Sequence, residues 1–145
     1  YEEAREAFAE AAKKDAKLAP LAAIGTAQTF REVGEFEKAL DTLNAAAKAT
    51  PENPDVLAAR ADLLYELGRW DDAENDADAA IAKKENQLRA RWTKARVLRE
   101  RGSLDDADKA FRWVVRHYTA RSNADDDIAD PDELLVVALA GAENA

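Results

Sequence analysis

The side chains best equipped for chemistry in this chain are carboxylates and guanidiniums. Asp71, Asp72, Glu74, Asp76 and Asp78 crowd one short stretch, and a second run, DDDIADPDE from Asp125 to Glu133, carries oxygens enough for a calcium ion. The second run lacks the central glycine and the spacing of a helix-loop-helix calcium loop, so it reads as an acidic loop between helices. The first reads as a solvated helix face, with Asp71 and Asp72 in its first turn, where carboxylates meet the positive end of the helix dipole. The cations make a sharper pattern. Arg89, Trp92, Arg96 and Arg99 follow one another at spacings of three and four, which puts all four on one face of a helix. An indole between guanidiniums can seat an apolar anchor or stack on a cation, and arginine forks onto carboxylates. A peptide with an acidic end would complement such a face. Internal pairing of the arginines with Asp62 and Asp55, with Trp92 packed under a neighbouring unit, is the alternative.

Catalysis finds little to work with. His117 is the sole histidine and there is no cysteine, so neither a two-histidine nor a thiolate metal site can be built within the chain. Ser103 and Ser122 lie in turn-like contexts without a glycine-flanked nucleophile elbow, and no glycine-rich loop cradles phosphate. The chain reads as a non-enzyme with no cofactor and no metal. Its net charge of -9 repels a phosphate backbone, which argues against nucleic acid and acidic membrane surfaces. No run reaches the roughly 18 to 20 apolar residues that cross a bilayer, and YEEAREAF at the start has no signal-like character. A binding or structural role is what remains.

The elements that must position these residues follow from composition and period. With 145 residues, 47% apolar and 35% charged, and only five glycines and four prolines, the chain suits a single, mainly helical domain. Three of those glycines open GEFEKALDTL at Gly34, GRWDDAENDA at Gly68 and GSLDDADKAF at Gly102, at a constant interval of 34 residues. Other columns keep the same register: Ala27, Ala61 and Ala95; Phe30, Leu64 and Leu98; Phe36, Trp70 and Leu104; Ala39, Ala73 and Ala107. Spacings of three and four on either side of each glycine predict two amphipathic helices joined by a tight turn, with glycine at the helix end where left-handed backbone is cheapest. Pro20 and Pro54 are expected to begin the first helix of their repeats, and Pro51 to follow the end of a second helix.

This 34-residue layout of small, aromatic, Gly, aromatic and Ala signals resembles the tetratricopeptide repeat family. The resemblance implies an all-α, right-handed superhelical array of antiparallel helix pairs, about eight helices in all, with full repeats at 20–53, 54–87 and 88–121. Residues 1–19 match the second helix of an incomplete repeat, 122–130 an acidic loop and 131–145 a further helix. The chain starts within a repeat and is expected to be a segment of a longer protein. Arg91 departs from the large apolar residue that the family favours early in the first helix, and Arg60 and Lys94 depart from its leucine. Their long stems can cover apolar surface while the charged heads stay wet.

The resemblance also implies a function, protein–protein interaction on a concave face lined by the first helices. Carried over by register, that face holds Leu21, Ile24, Gln28 and Arg31, then Asp55, Ala58, Asp62 and Tyr65, then Arg89, Trp92, Arg96 and Arg99. Arg89, Trp92, Arg96 and Arg99 are the leading contacts, with Tyr65, Asp62 and Gln28 next, for a peptide or partner domain that carries an acidic segment. A clamp for a chaperone's terminal carboxylate is not expected, because the positions that would form it hold Ile24, Gln28, Ala59, Arg89 and Thr93, of which only Arg89 fits by charge. The rival function is a structural spacer, or self-association through the apolar stretch 134–139.

Overall fold

The three register glycines have φ of +80°, +77° and +80°, a conformation that other residues adopt only under strain, so each tight turn depends on glycine. Around them the backbone closes the helix end. Glu35 N–H donates to Phe30 O at 2.8 Å, Arg69 N–H to Leu64 O at 2.9 Å and Ser103 N–H to Leu98 O at 2.9 Å, satisfying carbonyls that the helix leaves open.

The computed structural model describes residues 1–124, with side chains as far as Tyr118, and every regular element in that span is helical. In order they are α1 (Glu2–Lys14), a short 3-10 turn (Ala16–Leu18), α2 (Ala19–Glu32), α3 (Phe36–Ala49), α4 (Pro54–Glu66), α5 (Trp70–Lys83), α6 (Leu88–Glu100) and α7 (Leu104–Ala124). Helices α2 and α3, α4 and α5, and α6 and α7 pack as successive pairs, and the first helices α2, α4 and α6 also lie side by side. This is the all-α helical repeat solenoid that the period implies. Asn53 caps α4 through its side-chain oxygen, which accepts from the Asp55 and Val56 amides at 3.0 and 3.1 Å, and Gln87 caps α6 through the Ala90 amide at 3.1 Å. Pro54 is the first residue of α4, whereas Pro20 is the second of α2. Helix α7 runs to Ala124, into the stretch expected to be loop. The acidic run Asp125 to Glu133, the expected helix 131–145 and the apolar stretch 134–139 lie outside the described residues.

Close helix approach comes from the alanine columns: Ala39, Ala73 and Ala107 are 0, 0 and 3% exposed, and Ala27, Ala61 and Ala95 are 3, 0 and 0%. A fourth glycine serves packing instead of a turn. A Cβ at Gly25 in α2 would lie 2.5 Å from the ring of Phe8 in α1, so glycine is what lets α1 seat on the array. The cationic departures from the family pattern are satisfied by pairing. Arg60 forks onto Asp76 at 2.6 and 2.9 Å, Lys94 pairs with Asp78, and Arg91 stacks 4.1 Å from the Trp113 ring centroid.

Candidate partner-binding face

Because α2, α4 and α6 begin one repeat apart and pack in parallel register, residues about 34 apart in sequence become neighbours across helices. Asp62 on α4 stands at the middle of the resulting surface. Its Oδ2 accepts from Arg31 Nη1 of α2 at 3.0 Å, and its Oδ1 accepts from Arg96 Nη2 of α6. The side chains of Asp62 and Arg96 are each only 13% exposed, so the carboxylate bridges two guanidiniums largely out of water. Burial pushes the Asp62 carboxyl upward, but Arg31 and Arg96, with a further contribution from Arg89, outweigh it and hold the group below the usual carboxylate range. Arg31 in turn resists burial through Asp62 and Glu66, which raise its pKa.

Outward from this bridge lies a second layer. Arg31 Nε also donates to Glu66 Oε2 at 3.1 Å. Tyr65 OH donates to Glu100 Oε1 at 2.9 Å and accepts from Arg99 Nη2 at 3.3 Å. Burial raises the Tyr65 hydroxyl above its ordinary value, the Glu100 hydrogen bond adds to that, and Arg99 opposes it. The Arg96 guanidinium lies 4.3 Å from the Tyr65 ring centroid and 5.1 Å from that of Trp92, so it is stacked as well as paired.

The residues expected from sequence therefore divide. Asp62, Tyr65, Arg96 and Arg99 come together in one network, and Arg89 is half-buried and contributes to the field at Asp62. Gln28 is exposed and donates to Glu32 at 3.4 Å. Trp92 takes a different place from the one its spacing suggested. It is 4% exposed, packed edge-on to Phe111 of α7 with ring centroids 5.2 Å apart, and so forms the floor beneath Arg96. The reason is burial: a large apolar ring gains most where it leaves water, and Phe111 of α7 covers it here. Ala58 is fully buried too, and Asp55 pairs with Gln87 at 2.9 Å and Lys84 at 3.8 Å. Of the residues that a terminal-carboxylate clamp would use, Ala59 and Thr93 are buried.

Glu66 and Glu100 were not picked out by sequence reasoning. The signal that finds them is the same 34-residue register, since Glu32, Glu66 and Glu100 are the last residues of α2, α4 and α6. The acidic run of α5 is paired throughout: Asp71 and Glu74 with Arg101, Asp72 with Arg69 at 2.9 Å, Asp76 with Arg60 and Asp78 with Lys94. Among the described residues no cluster of His, Cys, Asp or Glu could hold a metal ion, and no helix is long and apolar enough to cross a membrane. His117 stacks on Trp113 with centroids 4.7 Å apart and planes 6° apart, as a packing group on α7.

Comparison with known proteins agrees with this architecture. A family model described as tetratricopeptide repeat matches residues 1–54 and 58–125. No curated protein matches. Among solved structures, the first repeat domain of the human RPAP3 protein is 20% identical, with a TM-score of 0.64, covering 86% of this chain and 94% of that one. The first repeat domain of Spaghetti (RPAP3), bound to the HSP90 peptide SRMEEVD, is 17% identical with a TM-score of 0.63 and the same coverage. A tetratricopeptide repeat protein from Parabacteroides merdae is 18% identical with a TM-score of 0.62; 94% of this chain aligns with 50% of that one. At these identities the resemblance shows the fold.

Proposed function

The chain belongs to the tetratricopeptide repeat family, whose members are protein–protein interaction modules, and from that premise we propose that the face shared by α2, α4 and α6 receives a peptide or partner segment with acidic side chains. One observation carries the reading. Three helices from successive repeats bring Arg31, Arg96 and Arg99 together with Tyr65 on one surface, braced by Asp62 from below. Such a surface is preformed, which leaves most of the ordering cost to the partner. Arg31, Arg89, Arg99, Tyr65 and Gln28 are the contacts toward the partner, while Trp92 and Arg96 are the platform under them.

The acidic preference has support in chemistry and by analogy. Guanidiniums in a fixed array fork onto carboxylates. The Spaghetti domain is bound to SRMEEVD, and the second repeat domain of human RPAP3 is in complex with the HSP70 peptide SGPTIEEVD; both peptides are rich in carboxylates. Here the acid recognised would be a side chain and not a chain terminus, given Ile24, Ala59 and Thr93 at the positions a terminal clamp needs.

The test is affinity capture from a lysate of the source organism with the wild-type chain and an Arg89→Glu, Arg99→Glu variant matched for melting temperature. Partners retained by the wild type and lost by the variant support the reading. The same proteins on both would overturn it.

A further inference from the structure

We infer that Glu66 and Glu100 are built-in stand-ins for the partner's carboxylates, so that binding on this face is an exchange of one carboxylate for another instead of the filling of empty sites. The inference rests on the functional reading above and names what the partner must displace. It starts from an oddity of position. Each first helix ends on a glutamate, Glu32 on α2, Glu66 on α4 and Glu100 on α6. A carboxylate in the last turn faces the negative end of the helix dipole, where a cation is favoured. A local rule broken at the same register in successive repeats is the kind of departure that marks a functional position.

What two of these glutamates do is specific. Glu66 reaches from α4 to the neighbouring α2 and accepts from Arg31 Nε at 3.1 Å. Glu100 reaches from α6 to α4, where its Oε1 accepts from Tyr65 OH at 2.9 Å, and it lies 3.6 Å from Arg99 Nη2. Each thus occupies groups that the binding face would offer to an incoming acid, and the two positions are one repeat apart. Their exposure differs from that of the third carboxylate in the network. The side chains of Glu66 and Glu100 are both 36% exposed, against 13% for Asp62. Glu66 forks onto Arg31 through Nε and Nη2 and Glu100 is held by Tyr65, yet both stand at the solvent edge where a partner's carboxylate can reach their places, whereas Asp62 is locked between Arg31 and Arg96. Asp62 therefore keeps the guanidiniums aimed, and the glutamates hold their outer positions until replaced. The partner this fits is an extended segment with two side-chain carboxylates spaced to reach both positions. Glu32 gives an internal comparison: it accepts from Gln28 at 3.4 Å and, among the described residues, covers no cation.

The experiment is fluorescence anisotropy with a labelled oligoglutamate peptide, acetylated and amidated so that no chain terminus takes part. Glu66→Gln and Glu100→Gln keep side-chain volume and hydrogen bonding while removing the competing charge. Each should tighten binding about threefold, roughly what one exposed ion pair is worth, and the double variant by about the product. Glu32→Gln should bind as the wild type does. In the wild type, peptide should also shift the side-chain carboxyl ¹³C resonances of Glu66 and Glu100 but not that of Glu32. Binding only by the double variant would be the strongest support. Wild-type binding that the Gln variants leave unchanged or weaken overturns the exchange while leaving the functional reading intact. No binding by any of the five proteins overturns both.

Discussion

Replacing Asp62 by asparagine removes the charge that ties α2, α4 and α6 together while conserving volume. In the native chain its two oxygens are taken by Arg31 from α2, at 3.0 Å, and by Arg96 from α6. The amide keeps one acceptor but points its NH2 at a guanidinium, and the two arginines are left facing each other. Breaking a buried ion pair from one side costs about 3 to 5 kcal/mol. Arg31 retains Glu66, and Arg96 retains its stacking on Tyr65 and Trp92, so the lower end, about 3 kcal/mol, is expected. At this chain length that corresponds to a fall in melting temperature of about 6 to 12 °C. Since Asp62 acts across both the α2–α4 and α4–α6 interfaces, the loss falls on coupling between repeats, and the denaturant slope should fall with it. The pH dependence has a definite sign. The folded pKa of Asp62 lies below its ordinary value, so its stabilisation is complete above the usual carboxylate range near pH 4 and is lost only as pH falls through the depressed value. Calorimetric and urea melts of wild type and variant should therefore differ by a constant amount from about pH 7 to about pH 5, then converge below about pH 4. A difference under about 0.5 kcal/mol, the level of ordinary surface substitutions, would refute the bridge, as would a difference that grows on acidification.

Two further substitutions test the packing that positions this face. Gly25→Ala gains intrinsic helix propensity but places a methyl 2.5 Å from the Phe8 ring. Hydrogen exchange should quicken in α1 with little change in α4, and a Phe8→Ala background should remove the effect; uniform protection would show that α1 does not seat on Gly25. Ala73 is fully buried between α4 and α5, so Ala73→Leu should overpack the pair by about 1 to 3 kcal/mol. An unchanged melting temperature would count against the repeat register.

Much of the architecture is legible in the sequence, because it is written in local terms. Gly34, Gly68 and Gly102 mark turns through backbone sterics alone, and Ala39, Ala73 and Ala107 mark close helix approach through side-chain size alone. Both properties belong to single residues, and the 34-residue interval repeats them often enough to define the fold. That Arg89, Arg96 and Arg99 share one helix face was legible too, since three-and-four spacing requires it. What each residue does on that face was not. Trp92 goes under Phe111 because α7 lies over it, and Asp62 becomes a bridge because α2 and α6 bring arginines to either side. Helical period says which way a side chain points from its own axis. Which groups meet it there depends on the distance and tilt between helices 31 to 35 residues apart in sequence, and only the packed array sets those.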